Sequence, residues 1–160
     1  MTITVTNMPK VMNLEQVRAK VALAASQKIG SGSNGGKAVA KKIPAQIIQN
    51  GFLGALAFAI ESVSDPKFQI NEGFYLNTKA GKDGPYEGCG YANSFLSVMQ
   101  CLKKTHKDFN TCDGGLSKFL SNLCLISADE LRMVTDEALC YLNYLRRFAK
   151  ADKAGAESED

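Results

Sequence analysis

The sequence predicts an all-α fold: a single-domain, compact helical bundle with a long Gly-rich loop in its middle. Three observations predict it. Apolar residues recur at helical spacing in several segments, two of those segments open with helix-capping signals, and the one long stretch where the helical pattern degrades is Gly-rich with only short β-prone pieces. The chain has 160 residues, 45% of them hydrophobic, which suits one ordinary core and argues against two domains.

The first helix is signalled by "NLEQ", where Asn13 can accept the backbone N–H of Gln16 while the Gln16 side chain reaches back. It is expected to run to about Ile29, with Leu14, Val17, Val21, Ala24 and Ala25 as a buried stripe. Arg18 falls inside that stripe. A cation there must pair with a carboxylate or snorkel, because an unpaired buried charge is too costly. "GSGSNGG", residues 30–36, reads as a flexible linker, and it lacks both the Gly-Lys-Ser/Thr ending and the preceding strand of a phosphate loop.

In "AVAKKIPAQIIQNG", Val39, Ala40, Ile43, Ile47 and Ile48 share one broad helical face, with Lys41, Lys42, Ala45 and Gln49 beside it. Pro44, about two turns in, is expected to kink this helix or to mark a restart, and Asn50-Gly51 to end it. "FLGALAFAIES" is apolar on all sides and predicts a centrally buried helix. Residues 65–90 read as a long loop with room for one small hairpin. Helices resume at "YANSFLSVMQCLKKT" and, briefly, at "GLSKFLSNL".

The last unit begins at "SADE", a Ser-x-x-Glu capping box on Ser127 and Glu130, and is expected to break near Thr135 and restart at Asp136 and Glu137. Ala138, Leu142, Leu145 and Ala149 then define its core face. Arg147 points away from that face and Arg146 sits at its edge. The domain is expected to occupy residues 1–150, followed by a disordered acidic tail over 151–160.

Charge is distributed unevenly. From Ala151 onward one lysine stands against four carboxylates, a net −3, so the rest of the chain holds +6 of the overall +3. Nothing in "MTITVTNMPK" resembles a secretory signal and no apolar run reaches membrane-spanning length, which predicts a cytoplasmic protein. Five cysteines lie eleven or more residues apart with a single histidine, so reduced, mostly packed thiols are expected, with no metal and no cofactor. No nucleophile has a base at a recognisable spacing, and His106, among lysines, reads as a solvated surface residue. The pairs Asp129-Glu130 and Asp136-Glu137 read as helix starts, because adjacent helical residues do not face one another. No catalytic residue is predicted.

Three segments carry a resemblance. "AKKIPAQIIQNGFLGALAF", the closing "TDEALCYLNYLRRFAKA" and the opening "LEQVRAK" resemble, in the same order and at similar places, the small helical subunit of the type III-B CRISPR effector, the Cmr complex. Phe52 stands where that family commonly has Leu, and Tyr144 where it often has Trp. The resemblance implies a structural, non-catalytic subunit, copies of which stack as a short filament beside the backbone and large subunits. It also implies that the channel between them holds guide RNA and target RNA.

A wall that contacts RNA phosphates needs clustered cations. The candidates in the family-like segments are Arg18, Lys20, Lys41, Lys42, Arg146, Arg147 and Lys150, with Lys41, Lys42 and Arg147 foremost. Arg18 and Arg146 also suit structural ion pairs, with Asp136 or Glu137 as partners. No aromatic platform for stacking bases is evident. The alternative is a helical adaptor that binds protein and never meets nucleic acid.

Overall fold

The computed structural model describes residues 12–27, 29, 39–61, 90–106 and 115–152, with side chains as far as Ala149. Among these residues it contains five helices and no strand: α1 (Leu14–Ser26), α2 (Ile43–Glu61), α3 (Gly90–Thr105), α4 (Leu116–Leu123) and α5 (Ala128–Asp152). The 30–36 linker, nearly all of the 65–90 loop and the tail beyond Asp152 lie outside the described residues. The helix of the last unit itself reaches Asp152, two residues past the expected domain end.

Both predicted capping boxes form. Asn13 Oδ1 accepts from the Gln16 N–H at 2.8 Å while Gln16 Oε1 accepts from the Asn13 N–H at 2.9 Å. Glu130 N–H donates to Ser127 Oγ at 3.1 Å and Glu130 Oε1 accepts from the Ser127 N–H at 3.2 Å. These bonds satisfy N–H groups that a helix start leaves without intrahelical acceptors.

The buried face of α1 is Val21, Ala22 and Ala25, while Leu14 and Ala24 of the expected stripe are exposed. α1 packs chiefly on α5 and next on α3. Pro44 marks a restart rather than a kink: α2 starts at Ile43 and the proline occupies the first turn, where a missing N–H costs no hydrogen bond. The break lies at Gly51, as the Asn-Gly pair predicts, at φ 81° and ψ 162°. A further expectation changes. Thr135 does not break α5, since its Oγ1 donates back to Leu131 O at 2.8 Å and the helix continues.

The helix buried on all sides is α3, not the second half of α2. Every residue of α3 from Ala92 to Met99 is buried, whereas Gly54, Ala57 and Phe58 of α2 are exposed. α2 is long and apolar enough to cross a membrane by length and composition, yet it packs on α3, α4 and α5. Phe52 joins these layers, its ring meeting Phe95 of α3 edge-on at 5.7 Å and Phe119 of α4 at 6.1 Å. Ala138, Leu142, Leu145 and Ala149 are all buried, as their spacing predicts.

Candidate nucleic-acid interface

Glu137 is the one buried carboxylate among the described residues, only 5% exposed. Its position follows from the helical wheel: it lies three residues after Val134 and four before Tyr141, both core residues of α5. Arg18, on the facing surface of α1, donates from Nε to Glu137 Oε2 at 2.6 Å and from Nη2 to Oε1 at 2.7 Å. This two-pronged bond, against the cost of burial and reinforced by the Glu137 charge, pushes the Arg18 guanidinium further above its already high pKa. Arg18 therefore takes the structural role that its place in the α1 stripe allowed.

His106 is not a solvated residue. It follows the end of α3, is 25% exposed, and its Nε2 lies 3.9 Å from Glu137 Oε1. A surrounding run of lysines suggested solvent, but only three-dimensional packing reveals the acid on the far side.

Arg146 pairs with neither Asp136 nor Glu137. It is exposed and donates from Nη2 to Asn143 Oδ1 at 3.0 Å. Together with Pro44, Ile48, Leu139, Cys140 and Asn143 it lines an open groove of about 390 Å³ between the start of α2 and the second half of α5. Ile48, expected on the core face, instead stands 75% exposed at this groove. Ile43 and Ile47, four residues apart, share the inward side of α2, whereas Ile48, about 100° further round the helix, turns out to the groove beside Pro44.

Among the candidate cations Arg146 alone lines this groove. Lys41 and Lys42 are exposed in the turn that enters α2, where Lys42 N–H donates to Val39 O at 2.8 Å. Pro44, three residues on, lines the same groove as Arg146, with Arg147 exposed alongside. Lys20 is exposed on α1, apart from that groove. The Lys150 side chain lies outside the described set. Lys20, Lys41, Lys42 and Arg147 make no salt bridge among the described residues.

Tyr144 of α5 is part-buried, with the Glu15 carboxylate of α1 nearby. Burial first and then the Glu15 charge push its phenol up, while Arg18 and Arg147 act in the opposite sense. Of the three cysteines described, Cys101 is buried but Cys124 and Cys140 are exposed, so packing of the thiols is less general than their spacing implied. Among the described residues no group of three or more His, Cys, Asp or Glu side chains could hold a metal.

The model of the family described as "CRISPR-associated protein (Cas_Cmr5)" matches residues 14–152. The chain belongs to the Cmr5 family. The match begins at the first residue of α1 and ends at the last of α5, so all five helices are the Cmr5 unit. It confirms the assignment to the small subunit of the type III-B effector that the three segments pointed to. No curated protein matches the chain.

Proposed function

We propose that this Cmr5 chain is a non-catalytic structural subunit of a cytoplasmic type III-B effector. In this reading it stacks in several copies and lines the channel for guide and target RNA with basic side chains. The observation that carries the proposal is the family match over residues 14–152. Lys41, Lys42 and Arg147 suit phosphate contact: they are exposed and make no salt bridge among the described residues. Lys20 and Arg146 are secondary candidates. Arg18 has two of its nitrogens committed to Glu137, which leaves it little freedom to reach a phosphate.

The test is native mass spectrometry of the chain mixed with the other Cmr subunits of its host and a guide RNA. Incorporation in more than one copy is expected, and the triple variant Lys41→Glu, Lys42→Glu, Arg147→Glu should weaken RNA-dependent assembly while its circular dichroism stays native. A folded triple variant that assembles on RNA as well as the parent overturns the basic-wall reading. The exposed Ile48 groove favours a second reading, a protein adaptor without nucleic acid. Binding to RNA that weakens with salt separates the two.

A further inference from the structure

The outer face of α5 changes sign along its length. Asp129, Met133 and Asp136 follow i, i+4, i+7 and are exposed near the start, while Cys140, Asn143 and Arg147 continue the same face toward the end with Arg146 beside them. Glu130 adds to the acidic half. Arg132 offsets one carboxylate through a 3.9 Å contact with Asp129, and the half remains net negative. Each half also carries an exposed apolar group: Met133, 57% accessible, in the acidic half, and Ile48 at the groove beside the basic half. Asp129 and Arg147 are about 27 Å apart along a straight helix, several Debye lengths at physiological salt, so the two ends act as separate charges.

A surface that is negative at one end and positive at the other is complementary to itself turned end for end. We propose that the outer face of α5 pairs with the same face of a second copy of this chain, antiparallel, about a two-fold axis near Cys140. The acidic half of each helix then lies on the basic half of the other, and Met133 of each copy approaches the Ile48 groove of the other. Both charged contacts form at once, which is the advantage of an isologous pair, and the two helix dipoles oppose. A parallel arrangement in register sets like charges against each other. The pairing requires neither RNA nor another subunit, but it draws on Arg146 and Arg147, so a paired copy does not offer them to RNA phosphates.

Sedimentation equilibrium of the full chain without RNA tests it. A monomer–dimer equilibrium that shifts toward monomer as salt rises is expected. The variants Asp129→Lys/Asp136→Lys and Arg146→Glu/Arg147→Glu should each raise the dimer dissociation constant by about tenfold or more, because like charges then meet. An equimolar mixture of the two should dimerise again, which a merely misfolded variant cannot do. A chain with Cys89, Cys112 and Cys124 changed to Ser, buried Cys101 retained, should be linked into a covalent dimer through Cys140 by a short bismaleimide. A monomer at all concentrations, failure of the mixture to recover, growth beyond a dimer, or no link through Cys140 overturns the proposal.

Discussion

Glu137 sits on the core side of α5 with an arginine from the far end of the chain across it, and the energetics of that pair are asymmetric. Removing the cation strands a buried carboxylate, whereas removing both charges leaves space that apolar side chains can fill. Arg18→Met is therefore expected to cost about 3 kcal/mol, a fall in melting temperature of roughly 10 °C for a chain this long. Adding Glu137→Met should recover most of it. A single-variant loss below about 1 kcal/mol, the range of exposed pairs, means that the bridge is solvated after all. The need for a partner at Arg18 was legible in the sequence because the residue interrupts an apolar stripe. Two acidic neighbours remained as partners, and only the continuity of α5 through Thr135, which turns Glu137 inward and Asp136 outward, decides between them. Tyr144 offers a pH test. Its phenol pKa is raised in the folded chain, so the folded state holds that proton more tightly than the unfolded one; the resulting stability is present below about pH 10, tyrosine's ordinary value, and is lost as pH rises through the higher folded value. In ultraviolet titration, Tyr144→Phe should remove one tyrosinate step lying above the ordinary value, and loss of a step at or below that value contradicts the assignment.

At the scale of the element, α2 depends on Gly51. Its φ of 81° with ψ of 162° belongs to a region that only glycine occupies readily. A Cβ placed there meets nothing within 4 Å, so the cost of a side chain comes from the backbone alone. Gly51→Ala should lose about 1–3 kcal/mol by chemical denaturation, and a variant as stable as the parent means that the backbone does not break there. The Asn-Gly pair made this break readable, as the Asn13 and Ser127 boxes made two helix starts readable: each rests on a local pattern of a few residues. Burial of a whole helix is not local. The second half of α2 is more apolar than α3, yet α3 lies in the centre, because burial follows from which helices surround a segment and not from its own composition. Ile48 escaped prediction for a related reason, since it stands at the edge of the inward face, about 100° from Ile47, and neighbouring helices decide which edge positions are covered.

At the scale of the molecule, the start of α2, which the chain enters through Lys41 and Lys42, lies across one groove from Arg146 of α5. The cations themselves were legible from the sequence, while their neighbourhood was not, because it requires the start of α2 to pack beside the second half of α5. If Lys41, Lys42 and Arg147 each neutralise one phosphate of single-stranded RNA, the triple change to Glu should flatten the slope of log affinity against log salt by about 2. Titration at several salt concentrations measures it, and an unchanged slope places the phosphate contacts elsewhere.

The extensive packing of α1 on α5, with Arg18 and Glu137 at its centre, also sets an order of events in the life of the chain. These partners stand 119 positions apart, so α1 leaves the ribosome long before the surface that covers it has been made. At ordinary elongation rates the wait is on the order of ten seconds, during which α1 lacks its chief packing partner and Arg18 has no anion. The bundle cannot close progressively from its beginning. Closure over α1 waits for α5, and a nascent chain cut off before Ala128 should stay sensitive to protease along α1, becoming resistant only when α5 has emerged.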